Sequence, residues 1–213
     1  MSRKQGSSRA PASAGAAAGT SAPSSGRLQR APGADGYRID SFADVVKRHG
    51  LTMACLAGLC LLTPGALPLL AQTTARVLAQ PLPYLAGLGA LLLFFAYWSG
   101  RHGATTARQL RWILYLLMIS VVEEISFRLV LPQLLTALTP LTLAHVLSNL
   151  LFACIHYFTL RWRLVNCVAT FLGGMGLSHL MGRGDLVLVV AVHWLGTFIN
   201  TPTPPSGDAD GAG

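Results

Sequence analysis

Long uncharged runs constrain this chain more than any other feature. Residues 50–75, 82–98, 141–158 and 164–181 contain no Asp, Glu, Lys or Arg. A helix needs about 20 apolar residues to cross the hydrocarbon core of a bilayer, and these runs reach or approach that length. They are continuously apolar rather than alternating, so they read as helices and not as the strands of a barrel. Composition agrees: 52% of the residues are hydrophobic and 11% are charged, against roughly 25% charged in an average soluble domain. The expected fold is all-α, a polytopic bundle of about six membrane helices.

Residues 1–48 are rich in Ser, Ala, Gly, Pro and Arg and lack apolar periodicity. That predicts a disordered basic tail, with a short amphipathic helix over 39–46 at the membrane surface. The polar stretch is too long for the n-region of a cleaved signal peptide. The membrane domain is expected over 49–200. Its first span, 50–75, contains Pro64 and Pro68, which predict a kink, an early end or a re-entrant path. The second, 82–98, closes on Tyr97 and Trp98, aromatics suited to the interface. The third, fourth and fifth cover 112–135, 141–158 and 164–181. The sixth, 186–199, is short. Gly174, Ser178 and Gly182 form a ladder of small residues that permits close helix packing. The segment 201–213 reads as a second disordered tail.

Eight of the sixteen Lys and Arg residues lie within the first 49 positions, and the net charge is +8. The loops at 99–111 and 159–163 are basic too, while the alternate loops carry only Arg76 and Arg183. The positive-inside bias explains this pattern with both termini cytoplasmic, and it needs no nucleic-acid partner. Cys55, Cys60, Cys154 and Cys167 lie in apolar segments without C-x-x-C spacing. They read as small buried hydrophobes, with no disulfide framework and no cysteine metal site.

One stretch breaks the apolar rule. Glu123 and Glu124, the only glutamates in the chain, sit with Arg128 inside the third span. Each such ion costs roughly 2.5–3.5 kcal/mol at a helix centre on insertion scales, so ionisable groups there mark a functional site by default. Glu124 and Arg128 are spaced i,i+4 and can pair on one helix face. Glu123 points about 100° away and is left for chemistry. A structural ion pair at a helix contact accounts for Glu124 and Arg128 but not for Glu123.

The fourth span places His145, Asn149, Phe152 and His156 on one narrow helix face. The sixth carries His193, with Thr197 one turn later. Bland readings exist, since His and Asn also bond between membrane helices, and for His145 that reading is favoured. His49 and His102 lie in polar surroundings and receive no role. A carboxylate beside an imidazole can orient and deprotonate water, and a second imidazole with a hydroxyl can donate to a developing oxyanion. Together these are the requirements of peptide-bond hydrolysis. Glu and His also ligate zinc. There is no H-E-x-x-H, however, so a mechanism without a cofactor needs fewer assumptions, and zinc is not excluded.

These residues resemble the motifs of the CAAX protease and bacteriocin-processing family of glutamic intramembrane proteases. Its E-E-x-x-x-R is matched by Glu123, Glu124 and Arg128, and its F-x-x-x-H by Phe152 and His156. Its H-x-x-x-N is matched in part by His193, with Thr197 where Asn is usual. The resemblance covers the core at about 112–200. It implies an endopeptidase with Glu123 as general base, His156 as its partner, Glu124 and Arg128 in support, and His193 at the oxyanion. Asn149, Phe152, Thr197 and Asn200 are expected to contact substrate, with Asn200 able to stand in for the usual Asn. The implied partners are a protein or peptide segment near the bilayer and the lipid itself. A short, Ala-, Arg- and Gly-rich chain fits a bacterial inner-membrane member, with an exosortase-like or myxosortase-like branch that cuts C-terminal sorting signals as one possibility. A non-catalytic scaffold, immunity factor or partner-binding protein of the same family is the alternative. A proton-coupled carrier is a third reading, although the sequence shows no inverted repeat.

Overall fold

The computed structural model describes residues 28–30, 38–104, 106–183 and 185–205. Most of the two expected disordered tails lies outside the described residues. The described chain is helical throughout, apart from an isolated antiparallel bridge between Gln29 and Trp162.

The first membrane element begins at α1 (Phe42–Val45), capped by the Ser41 hydroxyl on the Asp44 N–H. It passes through a π-helical turn, Val46–Gly50, into α2 (Leu51–Leu61). The short surface helix expected over 39–46 is thus continuous with the span. The chain then breaks. Gly65 takes φ +84°, a conformation that other residues rarely adopt, and α3 (Ala66–Ala79) leaves at 102° to the preceding helix. This is the interruption that Pro64 and Pro68 predict.

Pro81 opens α4 (Pro81–Arg101), where its missing N–H costs nothing. The Thr106 hydroxyl caps α5 (Ala107–Glu124) on the Gln109 N–H. A second π-helical turn, Ile125–Val130, joins α5 to α6 (Leu131–Leu135). After Pro140 come α7 (Leu141–Thr159) and α8 (Leu164–Met181). Asp185 caps α9 (Leu186–Asn200) on the Leu188 N–H and also accepts from the Tyr84 hydroxyl.

Helices α4, α7 and α8 are long and apolar enough to cross a bilayer, and the bent pair at 42–79 counts as one more. The expected count of about six also takes in the rod from α5 to α6, which carries the glutamates, and α9. At 15 residues, α9 covers about 22 Å of a core about 30 Å thick. The chain is an integral membrane protein of the all-α class. Its outer faces carry exposed leucines such as Leu62, Leu78, Leu82 and Leu93, which suit lipid.

Two apolar clusters flank the centre. One joins Trp112, Leu116 and Ile119 of α5 to Phe95, Phe152, Trp194 and Phe198. The other joins Ile125, Leu129 and Val130 to Cys60, Met181 and Val189. All four cysteines are free. Cys60 and Cys167 are buried as expected, but Cys55 and Cys154 are exposed, because both fall on outward faces of their helices.

The small-residue ladder is a packing device at two of its three positions. Ser178 accepts a hydrogen bond from Asn149 Nδ2 at 2.8 Å, binding α8 to α7. A Cβ on Gly174 would lie 2.2 Å from Asn149 Oδ1 and 2.7 Å from Arg128 Nη2. Gly182 meets only carbonyls of its own helix. Gly174→Ala is therefore expected to lower stability by about 1–3 kcal/mol, the range for overpacking a filled site. Unfolding by denaturing detergent in mixed micelles measures it, with Gly176→Ala, whose added Cβ meets nothing, as the control.

Candidate active site

Glu123 and Glu124 are the last two residues of α5, immediately before the π-helical turn. Such widened turns cluster at functional sites because they re-aim the side chains around them. Here the turn is tied down from outside: Ser148 of α7 donates to the Phe127 carbonyl at 2.6 Å, and Ser126 donates back to Val122 at 2.7 Å. Both carboxylates are buried, at 2% and 0% exposure.

The two glutamates face different neighbours, as their angular offset requires. Glu124 Oε2 lies 3.4 Å from Arg128 Nε, and both side chains are fully enclosed. Its Oε1 accepts from His193 Nδ1 at 2.6 Å. Around Glu123 stand three imidazoles. His49 Nε2 is 2.9 Å from Oε1, His156 Nε2 is 3.6 Å from Oε1, and His193 Nε2 is 3.6 Å from Oε2.

Each ring is held from behind. His156 Nδ1 donates to the Phe152 carbonyl at 2.8 Å, one turn back along α7. Phe152 stands edge-on to His156, with ring centroids 4.6 Å apart, and its face carries the Arg128 guanidinium at 4.0 Å. Trp194, the neighbour of His193, donates to the Ile113 carbonyl at 3.0 Å and locks α9 to α5. His49 Nδ1 bonds Thr159 Oγ1 at 2.8 Å at the end of α7. Arg48 donates to the Phe158 and Thr159 carbonyls at that same helix end.

The structure therefore brings Glu123, Glu124, Arg128, Phe152, His156 and His193 into one cluster. Thr197 is half-buried, one turn beyond His193. Two of the expected substrate contacts make bonds within the protein. Asn149 is buried, and its amide hydrogens go to the His145 carbonyl and Ser178 Oγ, both at 2.8 Å. It joins α7 to α8 and offers substrate no N–H. Asn200 is exposed and bonds the Gly196 carbonyl of its own helix at 2.8 Å. The tail after it is anchored at its start: Trp112 and Gln109 donate to the Thr201 and Pro202 carbonyls.

His49 is the residue that sequence reasoning missed. Its neighbours Lys47 and Arg48 made its setting look polar, yet it is 3% exposed. A signal existed: His49, Met53, Ala57 and Cys60 recur at helical spacing, and all four are buried. His102, also left without a role, is exposed and stacks on Trp98.

His49, Glu123 and His156 bring one nitrogen or oxygen each within 4.8 Å of one another, a spacing that a divalent ion can bridge. The cavity of about 350 Å³ at the break between α2 and α3 lies elsewhere, against Pro64, Gln72 and Gln133.

Fold and site together define a helical membrane protein with a buried carboxylate–imidazole centre, an arrangement that can activate water. Residues 104–199 match the family model described as type II CAAX prenyl endopeptidase Rce1-like, so this core is similar to a family of peptidases. No curated protein and no solved structure matches the chain.

Proposed function

We propose that this chain is an intramembrane endopeptidase in which Glu123 activates water against a peptide bond. One observation carries the reading: imidazole Nε2 atoms from three separate helices face Glu123, while Arg128 is committed to Glu124. A water seated between Glu123 and His156 Nε2 gives up a proton to the carboxylate as its oxygen attacks the carbonyl carbon. The negative charge that forms on the carbonyl oxygen faces His193, with the Thr197 hydroxyl one turn on. Glu123 then passes the proton to the departing nitrogen, and the peptide bond breaks. Phe152 supplies an apolar wall. No cofactor enters this scheme.

The substrate class that fits is a membrane-proximal or C-terminal protein segment, since the catalytic groups lie among membrane helices. A sorting signal read at a bacterial inner membrane, with the termini of this chain cytoplasmic, meets that description. The second reading, a non-catalytic binding member of the family, draws on Thr197 standing where Asn is usual.

Proteome-wide mapping of protein termini in membranes tests the proposal. Cells expressing the full chain should contain new termini that vanish with His156→Ala. These products should persist after dialysis of the membranes against EDTA and 1,10-phenanthroline. Identical termini in both strains would favour the binding reading. Loss on chelation with recovery on adding zinc would replace the metal-free scheme by a metal-assisted one.

A further inference from the structure

We infer that the short link between α7 and α8 is the edge on which substrate lays its backbone, and that residues 28–30 of this chain hold that edge in its place. The ligand is an extended peptide, and naming it substrate rests on the endopeptidase reading above. The way α7 ends creates the edge. Arg161 takes φ +55°, the left-handed conformation that often closes a helix and usually falls to glycine. The chain is extended at Arg163, with φ −64° and ψ 145°, where α8 starts. Arg30 donates its N–H to the Arg161 carbonyl at 2.8 Å, and Arg163 donates to the Leu28 carbonyl at 3.0 Å. These bonds flank Gln29 and Trp162 as an antiparallel pair. Asn166 Nδ2 adds a second donor on the Leu28 carbonyl at 2.9 Å. All three bonds end on main-chain atoms of residues 28–30, so an extended peptide of almost any sequence can make them. Strand addition works in this way: main-chain bonds hold the guest, and side chains select it.

The place of the edge ties it to the catalytic cluster. Trp162, the paired residue, sets its ring 4.7 Å from that of His156, whose Nε2 stands 3.6 Å from Glu123. A peptide lying on the edge is thus one side chain away from the groups that activate water. The present occupant is fastened by contacts of its own. The Gln29 amide donates to the Ile39 carbonyl at 2.8 Å and accepts from the Ile39 N–H at 3.3 Å. The Arg30 guanidinium lies 4.0 Å from the centre of the Tyr157 ring. Leu28, Gln29 and Arg30 are only half-buried, which suits a strap that substrate displaces.

Proline deletes the N–H that the Arg161 carbonyl accepts, so Arg30→Pro in the full chain loosens the strap without touching the edge. The probe is a fluorescent synthetic peptide of residues 24–34, read by anisotropy. The protein sits in lipid bilayers and carries Glu123→Gln, so that nothing is cut. Adding Arg30→Pro should tighten binding of the peptide about tenfold, the factor for a strap that leaves the edge open one-tenth of the time. Asn166→Ala on top of it should weaken the binding again. A peptide that itself carries Arg30→Pro should not compete. No gain in affinity with Arg30→Pro would overturn the inference, and so would a probe indifferent to its own proline.

A second readout uses a peptide spanning the most abundant terminus that His156→Ala abolishes. Arg30→Pro should lower its KM by about tenfold with kcat unchanged, and Arg30→Ala, which keeps the N–H, should change it less. A strap with a purely structural role gives the opposite sign, so a raised KM or a lowered kcat would overturn the inference. An unchanged KM in Arg30→Pro alongside an inactive Glu123→Gln would sink the edge alone. An active Glu123→Gln would sink the catalytic reading and leave the peptide-binding result to decide the edge.

Discussion

Glu123→Gln is expected to reduce cleavage by about 10²–10⁴-fold, the contribution typical of a positioned general base, while the protein remains folded. Gln keeps the size of the side chain and one carbonyl oxygen to accept from His49, so the surrounding packing is preserved. It cannot take a proton from water at neutral pH. The loss should therefore fall on kcat, with substrate binding nearly intact. Turnover of the mapped peptide in bilayers measures it, and circular dichroism with detergent-induced unfolding checks the fold. A variant that cleaves within about threefold of the wild type, a gap of less than 1 kcal/mol in barrier, would remove Glu123 from the chemistry.

The largest effect on stability is expected at Arg128. Removing it as Arg128→Leu leaves Glu124 enclosed with only His193 for company. Breaking a buried pair by deleting one partner costs about 3–5 kcal/mol, most of it the penalty of the stranded charge. The double variant Glu124→Gln with Arg128→Leu should recover much of that loss, because no lone ion is left. Unfolding in mixed micelles supplies the double-mutant cycle. If Arg128→Leu cost less than about 1 kcal/mol, as exposed pairs do, the pair would not be the anchor that its enclosure implies.

Much of this architecture could be read before any coordinates. Uncharged length marked the spans: the limits of α7, α8 and α9 fall within a residue or two of the apolar runs, because insertion depends on local composition. The break after α2 was announced by Pro64 and Pro68, since proline acts on its own backbone. The glutamate pair and Arg128 are legible because charge in an apolar segment needs a reason, His156 and His193 because polar rings there do too, and Phe152 because it shares the His156 helix face. What escaped notice depended on tertiary contact. His49 touches Glu123 across 74 positions of chain, and nothing in its neighbours Lys47 and Arg48 tells of that. Asn149 and Asn200 are ambiguous for the opposite reason. Their side chains can serve substrate or structure equally well, and only the fold shows the bonds they make to Ser178, His145 and Gly196.

The wide spread of the rings around Glu123 along the chain has a consequence for biosynthesis. Among the described helices, His49 belongs to the first continuous element, 42–61, and His193 to the last, α9. A ribosome-bound chain that has inserted everything up to α8 holds the acid pair but lacks the imidazole that contacts both acids. On the proposed function, the centre is therefore assembled only once α9 has packed against α5, and an earlier intermediate has no finished centre with which to cut.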